Sequence, residues 1–145
     1  MKDQIAISGL SKAIEEVTPK LMDAGAKRVM PLKVSGAFHS PFMKPAADSL
    51  KEFLENIKLN NSGSKVFSNV TAEIHSFDSI KENLYKQMFS TVRWFDSMIN
   101  MQKLGITKIY ECGPGKVLTG MTKKIAPDIE AVCVFDIDSL NSAIN

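Results

Sequence analysis

The sequence predicts an α/β fold in which strands and helices alternate and a parallel or mixed sheet is covered on both faces. Three observations carry that expectation. Apolar runs of strand length stand at residues 4–9, 29–34, 65–70, 106–112 and 131–135. Between them lie stretches with the i, i+3, i+4 spacing of a buried helix face. Turn-forming residues punctuate the two kinds of segment, as at Ser35-Gly36, Asn60-Asn61-Ser62-Gly63-Ser64, Gly105 and Gly113-Pro114-Gly115. Strands that alternate with helices build sheets with helical cover.

Taken in order, residues 4–9 form a strand that enters a Ser8-Gly9 turn. A helix follows to about Ala24, with Ile14, Val17 and Leu21 on one face and Gly25 placed to end it. Pro19 falls inside this helix, where it removes a backbone donor, so a kink or a shortened helix is expected. The strand at residues 29–34 ends in small residues, Ser35-Gly36-Ala37, that can carry a tight turn. His39 then lies just past a strand end and just before a helix start, where Ser40 can cap and Pro41 suits the first position. Met43, Ala46, Ala47, Leu50, Phe53, Leu54 and Ile57 give that helix a buried face. Helices at residues 79–88, 94–104 and 116–125 and a short terminal helix complete the pattern. His75, with polar flanks and no motif around it, reads as a surface residue.

Composition excludes several classes. The chain has 145 residues, 44% of them hydrophobic and 23% charged, which suits one soluble domain with a real core. The net charge of +2 comes from dispersed residues, so there is no basic stripe for nucleic acid. Lys123-Lys124 reads as a solvated helix face. Cys112 and Cys133 each sit in an apolar run and are expected as buried, reduced thiols, in keeping with a cytoplasmic protein. No stretch approaches the roughly 18 apolar residues of a membrane span, and no leader pattern opens the chain.

The histidine segment carries the chemistry. Gly36-Ala37-Phe38-His39-Ser40-Pro41-Phe42-Met43-Lys44-Pro45-Ala46-Ala47 resembles the histidine motif of the malonyl-CoA:acyl carrier protein transacylases, the family that includes polyketide synthase acyltransferase domains. Two further stretches resemble the same family, residues 86–94 (Lys-Gln-Met-Phe-Ser-Thr-Val-Arg-Trp) and residues 110–120 (Tyr-Glu-Cys-Gly-Pro-Gly-Lys-Val-Leu-Thr-Gly). The three occur in the family's order, over roughly the second half of its usual sequence.

The resemblance implies part of the acyltransferase fold. Residues 1–34 would be half of a ferredoxin-like small subdomain, and residues 35–145 the C-terminal part of the larger α/β-hydrolase-like subdomain. Met1 is then expected to mark a processed or truncated start. It implies transfer of malonyl from malonyl-CoA to the phosphopantetheine thiol of acyl carrier protein in fatty acid synthesis, through an acyl-serine and with no resident cofactor. His39 would be the base, oriented by the backbone carbonyl of Gln87. Phe38 would select malonyl by crowding the α-carbon of the acyl group, and Asn69 could line the same cleft. The family usually has proline before Val-Arg-Trp, where this chain has Thr91.

The nucleophile's G-x-S-x-G elbow has no counterpart in these residues, and Ser62-Gly63-Ser64 lacks both its second glycine and its strand. The expectation is therefore the histidine-bearing half of an enzyme, inactive alone. The alternative is a non-catalytic fragment that binds carrier protein or self-associates through apolar surface its missing half would cover. Asp96, Asp136 and Asp138 remain as other acceptors for the histidine ring. Cys112-Gly113-Pro114-Gly115-Lys116 could in principle place an anion at a helix N-terminus, but it departs from the phosphate-loop pattern and reads as a tight strand-to-helix connection.

Overall fold

The computed structural model describes residues 4–144. Contacts group residues 5–92 into one compact unit and residues 93–144 into a second.

The first unit is built on three helices. Helix α1 (Ser11–Asp23) continues through Pro19 to about the predicted end, so the proline does not shorten it as expected. It ends as Gly25 takes φ 99°, with Gly25 N–H donating to Met22 O and Ala26 N–H to Leu21 O. This paired closure satisfies carbonyls the last turn leaves free. Helix α2 (Lys44–Glu55) is entered by a single 3-10 turn, Pro41–Met43. Ser40 does not cap it with its side chain; the hydroxyl donates to Ala37 O at 2.6 Å, holding the turn before the helix instead. Helix α2 packs on α3 (Ile80–Lys86). It buries Ala47 and Leu54, with Met43 and Leu50 half-buried beside them, whereas Ala46, Phe53 and Ile57 are exposed. The expected face was thus too wide, since only the i, i+4, i+7, i+11 line is covered.

Three expected strands are not strands. Residues 4–9 and 29–34 belong to no helix or strand, and Ile5, Leu32 and Val34 stay 80%, 67% and 63% exposed. An apolar run becomes a strand only when a neighbouring segment takes its N–H and C=O groups in a ladder, and no ladder among the described residues includes either run. Residues 65–70 contribute one antiparallel bridge, Phe67 to Ile74, closing a tight loop in which Ser68 N–H donates to Glu73 O at 2.8 Å. His75 follows this loop and is half-buried, not on the surface as expected. Its Nδ1 lies 3.0 Å from the Asn83 amide nitrogen, and burial holds its pKa below the ordinary histidine value.

The second unit is a strand–helix–strand element with flanking helices: α4 (Trp94–Lys103), β1 (Lys108–Cys112), α5 (Val117–Ile125), β2 (Glu130–Val134) and α6 (Ile137–Ile144). β1 and β2 pair in parallel from Lys108 opposite Glu130 to Cys112 opposite Val134, and Lys108 Nζ reaches Glu130 Oε1 at 3.1 Å. Its core is Met98, Ala126 and Ile129, with Trp94, Met101, Ile109 and Ile125 packed around them. The cysteines differ from expectation. Both are free, but Cys112 is exposed, and Cys133 is half-buried with its thiol donating to Gly115 O at 2.7 Å. Among the described residues no helix is long and apolar enough to cross a membrane.

Met98 is fully buried, so Met98→Ala should cost about 2–5 kcal/mol in denaturant unfolding. Lys86→Ala breaks only an exposed i,i+4 pair with Glu82 and should change stability by less than about 1 kcal/mol in the same measurement.

Candidate active site

His39 adopts a left-handed backbone conformation, φ 60°, at the turn that leads into α2. Residues other than glycine pay about 1–3 kcal/mol to sit there, and they do so where surrounding bonds over-determine the geometry. Four such bonds are present. His39 N–H donates to Met88 O at 3.2 Å, and the ring Nδ1 lies 2.9 Å from Gln87 O. Ser8 Oγ donates to Phe38 O at 3.0 Å, and Ser40 Oγ to Ala37 O.

The two acceptors at residues 87 and 88 lie at the end of α3. Gln87 is the residue that caps α3, and its carbonyl is among those a helix end leaves without an internal partner. A carbonyl can only accept, so Nδ1 must carry the hydrogen of the neutral ring. Nε2 is then left as an acceptor in an exposed position. This leaves a base with one nitrogen fixed and the other open to a proton donor.

Sequence-expected residues fall unevenly around this centre. Phe38 adjoins His39 and is 46% exposed, with its ring folded back on the turn: a Cβ added at Gly36 would stand 3.6 Å from Phe38 Cζ. Gln87 meets His39 through its backbone, as the resemblance implies. Asn69 is exposed on the loop closed by Phe67 and Ile74, and no hydrogen bond ties it to residues 38, 39 or 87 among the described residues. Two of the carboxylates considered as ring acceptors are engaged locally. Asp96 Oδ2 takes Arg93 Nε at 2.8 Å, and Asp136 Oδ1 accepts from Ser139 N–H at 2.8 Å.

The contribution of Met88 had no signal in the sequence, since it is made by a backbone carbonyl whose residue type is irrelevant; Ser8 acts through its side-chain hydroxyl, but the acceptor, Phe38 O, is remote in sequence and local spacing does not reveal it. A detectable signal did exist for Lys44 and Asp48, whose i,i+4 spacing on α2 matches their 2.8 Å ion pair.

The Cys112-Gly113-Pro114-Gly115-Lys116 turn holds an anion of its own. Glu111, at the end of β1, accepts from Leu118 N–H at 3.0 Å and from Thr119 N–H at 2.7 Å in the first turn of α5. Gly113 and Gly115 take φ 130° and 107° so that the chain can double back. With the helix N-terminus filled by a carboxylate from the preceding strand, the turn is a structural connection. Bonds from Thr119, then from the Leu118 and Val117 backbone, hold the Glu111 carboxyl below the ordinary glutamate range.

No protein-family model matches the chain. It is 41% identical over 142 residues to the malonyl CoA-acyl carrier protein transacylase of Bacillus subtilis, covering 97% of this chain and 45% of that protein. Against the enzyme of the same name from Escherichia coli it is 37% identical, with 97% and 46% covered. The structure superposes on a transacylase (MCAT) from Streptococcus pneumoniae with TM-score 0.86 at 35% identity, covering 92% of this chain and 44% of that one. It also superposes, with TM-score 0.87 at 38% identity, on a malonyl-transacylase solved in complex with a type II polyketide acyl-carrier protein, covering 92% and 43%. The chain therefore spans about half the length of the curated relatives it matches, and shares their mixed α/β fold over nearly its whole extent.

Because its folded-state pKa is depressed, Glu111 contributes stability that is present above the unfolded pKa, about 4.3, and lost as pH falls through the folded value. The stability gap between wild type and Glu111→Gln should therefore be open at neutral pH and close on acidification. Thermal melts of both proteins at a series of pH values measure it, and a gap independent of pH would contradict the assignment.

Proposed function

We propose that this chain, homologous to malonyl CoA-acyl carrier protein transacylases over 97% of its length, is the histidine-bearing C-terminal part of such an enzyme. The observation that carries the reading is the 2.9 Å contact between His39 Nδ1 and Gln87 O, which leaves Nε2 as a proton acceptor. On this reading residues 1–34 are the remaining part of a ferredoxin-like small subdomain, residues 35–145 belong to the large α/β subdomain, and the protein is cytoplasmic.

The reaction needs a nucleophile that this chain lacks, a serine in a G-x-S-x-G elbow on the rest of the enzyme. His39 Nε2 takes the serine Oγ proton as Oγ attacks the thioester carbonyl of malonyl-CoA. The tetrahedral intermediate collapses, the C–S bond breaks, and the coenzyme A sulfur leaves with the proton from Nε2. The phosphopantetheine thiol of acyl carrier protein then attacks the malonyl-serine ester by the same route in reverse, with His39 taking the thiol proton and returning it to Oγ. Gln87 O keeps Nδ1 protonated throughout. Phe38 limits the space at the acyl α-carbon, and Asn69 lines the same cleft.

A second reading, that the isolated chain only binds carrier protein or self-associates, is favoured by the apolar side chains left uncovered at Ile5, Leu32 and Val34. Both readings expect negligible turnover by the chain alone.

Mixing the chain with a separately produced N-terminal part of a relative, bearing the serine elbow, should yield malonyl transfer from malonyl-CoA to carrier protein, followed by radiolabel. His39→Ala in the mixture should lower the rate by about a hundred- to ten-thousand-fold. Phe38→Ala should relax the preference for malonyl over methylmalonyl by about 1–3 kcal/mol. Turnover by the chain alone, or full activity of His39→Ala, would sink the first reading.

A further inference from the structure

The bonds that orient His39 end on α3, yet His39 itself leads into α2, so its ring is held only as well as those two helices are held to each other. One side-chain cluster joins them at that point. Lys44, the first residue of α2, donates from Nζ to Asp48 Oδ1 at 2.8 Å and to the Tyr85 hydroxyl. The Tyr85 hydroxyl donates in turn to Asp48 Oδ1 at 2.8 Å, closing a three-membered network across the helix pair. The Lys44 ammonium also lies 4.8 Å from the centre of the Tyr85 ring and 5.3 Å from that of Phe89. Those rings meet edge to face, 5.1 Å apart.

Their place in the chain gives the cluster its meaning. Tyr85 stands two residues before Gln87, and Phe89 directly follows Met88. The two rings therefore bracket the two carbonyls that receive the His39 ring and backbone. A closed circuit results: His39, the Pro41–Met43 turn, Lys44, the Tyr85 and Phe89 rings, the carbonyls at 87 and 88, and back to His39. An ion pair confined to one exposed helix contributes little. This one spans two helices through a phenol, with the cation also 5.3 Å from the centre of the Phe89 ring, which adds direction as well as attraction.

We propose that Lys44, Asp48 and Tyr85 are positioning residues for His39, fixing the end of α3 so that Gln87 O selects the Nδ1–H form of the ring and keeps Nε2 open. The inference rests on the reading of His39 as the base, but its test does not require activity. A cluster that merely packed the helices would support stability without controlling which nitrogen carries the proton.

The experiment is nitrogen-15 NMR of the two His39 ring nitrogens in this chain, at a pH well above the histidine range. Wild type should show a protonated Nδ1 and an unprotonated Nε2. Tyr85→Phe, which keeps the ring and loses only the hydroxyl, and Lys44→Met should each lower the ratio of the Nδ1–H to the Nε2–H form several-fold. Lys44→Arg, with its cation still in reach of Asp48 and the rings, should keep most of the wild-type ratio. Lys86→Met, which removes an exposed charge from α3 outside the cluster, should leave it unchanged. If Lys44→Met fails to fold, Tyr85→Phe decides the question. A wild-type ratio in Tyr85→Phe, or an equal fall in Lys86→Met, overturns the proposal. A wild-type ring protonated on Nε2 instead removes Gln87 as its orienting group, and this inference with it.

Discussion

The structure of the site depends on one constraint, the left-handed backbone of His39 held against the carbonyl end of α3. A helix end leaves carbonyls that must find donors, and a turn residue with positive φ needs bonds that offset its strain. Each solves the other's problem here, since His39 offers a backbone N–H to Met88 O and a ring N–H to Gln87 O. The turn is closed on either side by the Ser8 and Ser40 hydroxyls, which bind the carbonyls of Phe38 and Ala37. Four bonds around three consecutive peptides leave the imidazole little freedom except rotation about its own χ angles, and the Gln87 bond restricts that as well.

The use of a neutral carbonyl has a chemical consequence on the reading adopted above. A buried carboxylate behind the ring would stabilise the imidazolium strongly and make it a weaker acid. Transfer between two thiols asks for a base that gives its proton back easily, because the leaving group is a thiolate whose conjugate acid has a pKa of about 8.5, far below that of an alcohol. A backbone carbonyl at a helix end orients the ring without placing a formal charge against it. Orientation and basicity are thereby separated. The Gln87 side chain takes no part in that bond, so residue type at this position is free to vary as long as α3 ends where it does.

What the sequence made legible follows the range of the interactions involved. Helices satisfy their own backbone groups within four residues, so the spacing around α2, α4 and α5 sufficed to locate them. β1 and β2 were also legible, because the partner of each lies one helix away. Residues 4–9, 29–34 and 65–70 carry the same apolar signal, but a strand is a relation between two segments and the signal belongs to only one of them. The His39 motif was visible in side chains, and the Gln87 carbonyl only through resemblance, since a backbone acceptor has no residue signature. Ser40 illustrates the opposite error. It stands where a cap belongs, yet a nearer acceptor, Ala37 O, takes its hydroxyl. Likewise the glycine-rich turn after β1 is decided by Glu111, which lies outside the pattern that invites a phosphate reading.

The exposed apolar positions complete the physical picture. In the unit of residues 5–92, Ile5, Leu32 and Val34 lie outside any helix or strand, and Phe53 is 69% exposed on α2. Each such side chain forgoes about 1.5–3 kcal/mol that full burial would contribute. The orienting contacts of His39 draw on none of these side chains, because each is a hydrogen bond from His39 to the end of α3 or from the Ser8 or Ser40 hydroxyl to the turn. The His39 ring and its orienting carbonyls are therefore assembled by hydrogen bonds within residues 5–92, independently of these exposed apolar side chains. On the reading proposed above, a nucleophile supplied by the rest of such an enzyme would meet a histidine already set in tautomer and direction, so the energy of joining the parts can go into cover and apposition, with little needed to organise the base.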